Sequence, residues 1–119
     1  MEALIIVAHG SKLESSNQEI INIANKIKEQ ANDNLLVEYA FLELTEPSIF
    51  HSLTKAVGKK CTHIKIFPYF LAAGKHVKID IPTEVKKFQK LNPEIKFTLL
   101  PHIGMCKGIE EMIIENSLT

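Results

Sequence analysis

The chain contains no arginine and no tryptophan. All 14 of its basic residues are lysines, and they balance 14 acids to a formal net charge of zero. Without guanidinium groups, any chemistry built on a bidentate clamp of carboxylate or phosphate is excluded. A ligand rich in negative groups has to be met by lysines, backbone N–H groups and helix ends. The neutral balance also argues against a nucleic-acid module, which carries a basic patch or excess. Cysteine is scarce: Cys61 and Cys106 form no CxxC pair and no disulfide framework, and they read as free thiols in a reducing cytoplasm. Long apolar runs are missing as well. The first, Ala3–Ala8, is too short for a signal segment, and Ile66–Ala73 contains a proline and falls far short of the roughly 20 residues of a membrane span. No membrane and no nucleic acid are expected as partners.

What is present, in 119 residues that are 45% hydrophobic, is enough for one layered core. Ala3–Ala8 (ALIIVA) has no polar alternation, as suits a strand buried on both faces. Ser16 and Glu19 have the spacing of a capping box, followed by Ile20, Ile23, Ala24, Ile27 and Ala31 at helical intervals. Leu35–Phe41 reads as a second strand. Pro47 opens a second helix bearing Ile49, Phe50, Leu53, Ala56 and Val57, with Gly58 as its stop. Thr62–Phe67 is a third strand, and the connection Pro68–Ile81 leads to a helix from Pro82 with Val85, Phe88 and Leu91. Ile95–Leu100 is a fourth strand. Cys106–Leu118 forms the last helix, with Ile109, Met112 and Ile113 inward. Strand and helix thus alternate four times, which predicts an α/β fold: a four-stranded parallel sheet with helices on both faces.

In such a sheet, ligands bind beyond the carboxyl ends of the strands. His9 follows the first strand, Glu43 the second, His76 lies in the connection after the third, and His102 follows the fourth. Two imidazoles and a carboxylate on one rim suit a borderline divalent metal or an acid–base pair working near neutral pH. Each residue taken singly has a plainer role, as turn, helix lead-in or loop polarity. Their coincidence on one rim makes them candidates. Other polar residues fit structural roles. His63 lies at the opposite rim, His51 inside a helix, Asp80 at the N-cap of the Pro82 helix, and Glu46 at a helix start. Lys59-Lys60 and Lys86-Lys87 read as solvated surface, and Met105 and Met112 as core or interface filler. The apolar stretch Tyr69–Ala73 beside His76 offers either a wall for a flat hydrophobic ligand or a packing surface.

Several functions are excluded by missing parts. No G-x-G-x-x-G or Walker A motif follows the first strand. Phe67-Pro68 stands where a phosphoacceptor receiver needs aspartate. Ala8-His9-Gly10 stands where a histidine phosphatase needs Arg-His-Gly.

Three segments in order, His9-Gly10-Ser11, Phe41-Leu42-Glu43-Leu44-Thr45-Glu46-Pro47-Ser48, and Pro68-Tyr69-Phe70-Leu71 through Gly74-Lys75-His76-Val77 to Asp80-Ile81-Pro82, resemble the small CbiX-type sirohydrochlorin chelatases. Pro101-His102-Ile103-Gly104 is similar to that family's turn after the last strand. The resemblance covers nearly the whole chain. It implies a chelatase-like (flavodoxin-like) single domain over residues 1–119 and an ATP-independent class II chelatase that inserts Co²⁺ or Ni²⁺ into sirohydrochlorin in cobalamin or related biosynthesis. No organic cofactor is implied, because the divalent metal is the substrate ion. The resemblance makes His9 and His76 the metal site and, with Glu43 as proton relay, the catalytic set. It also implies a cytoplasmic homodimer, since longer relatives hold two such domains in one chain. Substrate contacts are expected at Gly10, Ser11, Lys12, Phe70, Leu71 and Lys75, with the carboxylates meeting the Gly10 and Ser11 amides, the first helix N-terminus and the lysines. Two departures stand out: Lys12 replaces an arginine common in the family, and a histidine-rich insertion before the last strand is missing. Three other readings stay open: a metal or tetrapyrrole carrier, an iron-inserting siroheme chelatase, and a flavodoxin-like interaction domain with no ligand.

Overall fold

A computed structural model describes residues 1–118. Its strands are β1 (Glu2–Ala8), β2 (Leu35–Phe41), β3 (His63–Pro68) and β4 (Lys96–Leu99), all parallel and ordered β2-β1-β3-β4. The helices are α1 (Glu14–Gln30), α2 (Ile49–Gly58), α3 (Ile81–Leu91) and α4 (Ile109–Ser117). The alternating pattern expected from the sequence is the one observed.

The unbroken apolar run of β1 has its cause in the topology. As a central strand it sends Ala3, Ile5 and Val7 to one face, where they pack with Leu53 and Ala56 of α2 and Val85 and Phe88 of α3. Ile6 goes to the other face and packs with Val37 and with Ala24 of α1. Ile5, Ile6 and Val7 are all at most 1% exposed, so neither face of β1 tolerates a polar group. Burial of each such side chain contributes about 1.5–3 kcal/mol.

Several local expectations are corrected. The Ser16–Glu19 capping box does not form, because α1 begins earlier, at Glu14. Leu13 precedes it without a side-chain cap, and its carbonyl accepts from the amides of Ser16 and Asn17. Pro47 lies before α2 rather than in its first turn. Ser48 caps that helix, its hydroxyl accepting from the His51 amide at 3.1 Å. Gly58 ends α2, but the left-handed residue of the exit is Lys60 (φ 61°). The connection after β3 is not loop throughout: His76–Asp80 form a π-helical turn that runs directly into α3.

The largest correction concerns α4. Ile109, Met112 and Ile113 do not point into the core; α4 buries no residue, and Met112, Ile113 and Ile114 are more than half exposed. Both sheet faces are already covered, by α1 on one side and by α2 and α3 on the other. Helical periodicity shows that a face seeks burial, but not what lies against it.

Candidate functional site

Parallel pairing does not stop at the strand ends. The amide of Leu42 donates to the Ala8 carbonyl (3.0 Å), and that of Glu43 to the His9 carbonyl (3.1 Å). This two-residue extension carries Glu43 alongside His9, and His9 Nε2 lies 3.0 Å from Glu43 Oε1. Gly10 makes the approach possible. Its φ is +95°, and a Cβ there would collide with the Glu43 carbonyl oxygen. On the other side, the Tyr69 amide donates to the Val7 carbonyl (2.7 Å), continuing β3 past β1. The chain then swings out to the π-helical turn and returns His76 to the rim. The His9 and His76 ring centroids are 4.9 Å apart, and the Phe70 ring is 6.1 Å from His76. The three residues expected on one rim therefore meet there.

The hydrogen bonds fix which nitrogens are available. His9 Nδ1 faces the Gly10 carbonyl oxygen at 2.9 Å, and His76 Nδ1 faces Asp80 Oδ2 at 2.7 Å. A carbonyl and a carboxylate can only accept, so both Nδ1 atoms carry the proton. In the neutral rings this places the lone pair on Nε2. For His9, that lone pair meets the Glu43 carboxylate, and two acceptors 3.0 Å apart call for a proton or a cation at that position. The side chains of His9 and Glu43 are 43% and 54% exposed, so the position is open to solvent and to an incoming ion. Among the described residues no group of three or more His, Cys, Asp or Glu side chains is placed to hold a metal ion.

The expected substrate contacts are less uniform. Leu71 is 77% exposed and Phe70 half-buried, so an apolar surface does stand beside His76. Gly104 braces it: its amide donates to the Phe70 carbonyl (3.1 Å), and a Cβ at Gly104 would strike the Leu71 carbonyl. Lys12 and Lys75 are exposed, and Lys75 Nζ lies 4.0 Å from Asp80 Oδ1. The Ser11 amide, by contrast, is already committed, donating to Asn17 Oδ1 at 2.9 Å. The start of α1 is no better placed for an anion, since Glu14 occupies its first turn.

Sequence reasoning missed two residues. Asn17, 4% exposed, grips the turn after His9 by accepting from the Ser11 amide and donating to the Ser11 carbonyl (2.8 Å). A polar residue on the first turn of an apolar-striped helix was the available signal. Asp80 does not act as an N-cap: its backbone is helical, it makes no cap hydrogen bond, and its carboxylate serves His76 instead. The His-x-x-x-Asp spacing carried that information. His63 and His51 stay apart from the rim pair as expected. His63 Nε2 pairs with Thr98 Oγ1 (2.7 Å) near the start of β3, and His51 is exposed on α2.

The fold is a parallel α/β sheet that brings two imidazoles and a carboxylate together at its carboxyl rim, the edge at which such sheets bind ligands. The chain belongs to the CbiX family, whose model matches residues 3–118. It is 33% identical over 117 residues to the sirohydrochlorin cobaltochelatase of Sulfolobus acidocaldarius, covering 98% of this chain and 90% of that one. It is 42% identical over 82 residues to the sirohydrochlorin cobaltochelatase of Methanococcus aeolicus, there covering 69% of this chain and 57% of the relative. In structure it is similar to the sirohydrochlorin chelatase SirB of Bacillus subtilis subspecies spizizenii in complex with cobalt, with a TM-score of 0.84 and 27% identity. That match covers 98% of this chain and 50% of SirB.

Proposed function

We propose that this chain is a sirohydrochlorin chelatase, inserting a divalent metal into the macrocycle without ATP, in the biosynthesis of cobalamin or a related tetrapyrrole. One observation carries the reading: two imidazoles with centroids 4.9 Å apart, both holding Nδ1 in hydrogen bonds and leaving Nε2 for an ion, with the Glu43 carboxylate 3.0 Å from one of them.

Metal insertion removes two pyrrole N–H protons while an ion loses its water. Neutral Nε2 atoms of His9 and His76 can hold the ion in transit and take up the protons as it leaves. Glu43, against His9 and open to solvent, relays protons outward. The flat macrocycle lies on Phe70 and Leu71, while Lys12, Lys75 and the Gly10 amide meet its carboxylates. With lysines in place of arginines these contacts are non-directional charges, so KM rises with ionic strength. Cobalt is the ion favoured by the relatives' activities, and a His₂ site also accepts nickel or iron.

The protein works as a cytoplasmic homodimer in this reading. Support comes from the outward apolar side chains Met105, Met112, Ile113 and Ile114, a surface suited to burial against a twin. Two free cysteines fit a reducing compartment, and among the described residues no helix is long and apolar enough to cross a membrane.

The test is a turnover assay with excess sirohydrochlorin and Co²⁺, followed by the change from free to metallated absorption. A chelatase gives many equivalents of product per chain. A plateau at one equivalent identifies a carrier, and no spectral change identifies an interaction domain. Running Co²⁺, Ni²⁺ and Fe²⁺ against one pool of sirohydrochlorin ranks the metals.

A further inference from the structure

The two rim imidazoles are oriented by different means. His9 Nδ1 is held by a main-chain carbonyl, that of Gly10, which no substitution can delete. His76 Nδ1 is held by a side chain, Asp80 Oδ2, at 2.7 Å. The two residues stand four apart on the π-helical turn His76–Asp80, whose widened backbone brings carboxylate and ring together just before α3 begins. Such turns recur at functional sites, where they re-aim side chains. Asp80 has no competing role as a cap, and its other oxygen lies 4.0 Å from Lys75 Nζ, which leaves Oδ2 to the ring.

We propose that Asp80 is a positioning residue for metal delivery: by accepting the Nδ1 proton it fixes the tautomer and rotation of His76, so that Nε2 is presented to the ion beside His9. The proposal rests on the reading of His76 as a metal-positioning ligand. An acceptor behind a ligating imidazole orients the ring and raises the donor strength of the opposite nitrogen, and its loss typically costs roughly 10- to 100-fold in metal affinity. Because the carboxylate acts through hydrogen-bond geometry, an amide oxygen in the same place can substitute for it in part.

The experiment is a Co²⁺ titration of the full chain, followed by visible absorption of the bound ion, on the wild type and on Asp80→Ala, Asp80→Asn and His76→Ala, with thermal unfolding recorded for each. Asp80→Ala is expected to weaken Co²⁺ binding about 10- to 100-fold. Asp80→Asn should recover most of that loss on a logarithmic scale, whereas a merely structural role would leave affinity tied to melting temperature in both variants. Wild-type affinity in Asp80→Ala, or equal weakening in the two Asp80 variants, overturns the proposal. A second measurement needs no variant. The ring ¹⁵N spectrum of His76 in the metal-free wild type should show the proton on Nδ1, and a ring protonated on Nε2 alone overturns the assignment. If His76→Ala binds Co²⁺ like the wild type, the metal-site reading itself fails. If only His76→Ala weakens binding, the role of Asp80 alone fails.

Discussion

The two rims of the sheet make an instructive contrast, because both carry histidine, acid and lysine. At the amino rim His63, Lys65 and Glu2 are each answered by a neighbour. His63 bonds to the Thr98 hydroxyl, and Lys65 Nζ reaches Glu2 Oε1 at 2.8 Å, a contact that holds the Glu2 carboxyl below the usual carboxylate range. Cys61 lies buried close by, and burial pushes its thiol up. At the carboxyl rim the residue types are similar but the pairing is incomplete. Two imidazoles stand side by side, and the Glu43 carboxylate faces the outer nitrogen of His9 at 3.0 Å, at a position open to solvent. A polar group that is fully partnered stabilises the fold, whereas one left with an open valence can act on something from outside.

Changes at each rim should therefore fail in different ways. The largest effect is expected from His9→Ala and His76→Ala, which should each lower kcat/KM for metal insertion by about 10²–10⁴-fold while leaving the melting temperature nearly unchanged. Steady-state kinetics beside a thermal melt checks this. Gly10→Ala comes next: it forces a side chain into the left-handed region and against the Glu43 carbonyl, so denaturant unfolding should show a loss of about 1–3 kcal/mol together with impaired insertion. His63→Ala removes one hydrogen bond at the opposite rim and should cost about 1 kcal/mol of stability with kcat/KM unchanged. The smallest effect is one of labelling. With its thiol raised by burial, Cys61 holds less thiolate at a given pH, so a thiol reagent near pH 8 should modify Cys106 first and reach Cys61 only on unfolding.

Much of the carboxyl rim was legible in the sequence because a parallel sheet puts whatever follows each strand on one edge. Finding the strands was enough to bring His9 and Glu43 together, while His76 comes back to them through the π-helical turn after β3. The parts that were not legible depend on how turns close. Asp80 before Ile81-Pro82 has the form of an N-cap, and only the π-helical turn upstream of it, which extends the helix backwards, turns the aspartate toward His76. Ser16 and Glu19 have capping-box spacing, yet α1 starts at Glu14, and it is Asn17 that holds the turn before it, through Ser11 six residues back. α4 shows the limit of periodicity. Its apolar residues are patterned for burial, yet none of them is buried in this chain's own core.

The central claim, that the open Nε2 atoms of one rim receive the metal, is tested most directly by the imidazole ¹H–¹⁵N spectrum recorded during a Co²⁺ titration. Paramagnetic shifts and broadening should appear first and together in the rings of His9 and His76, at substoichiometric metal, with His63 and His51 unaffected until much later. Early perturbation of His63 or His51, or a titration that leaves His9 and His76 unmoved, would contradict it.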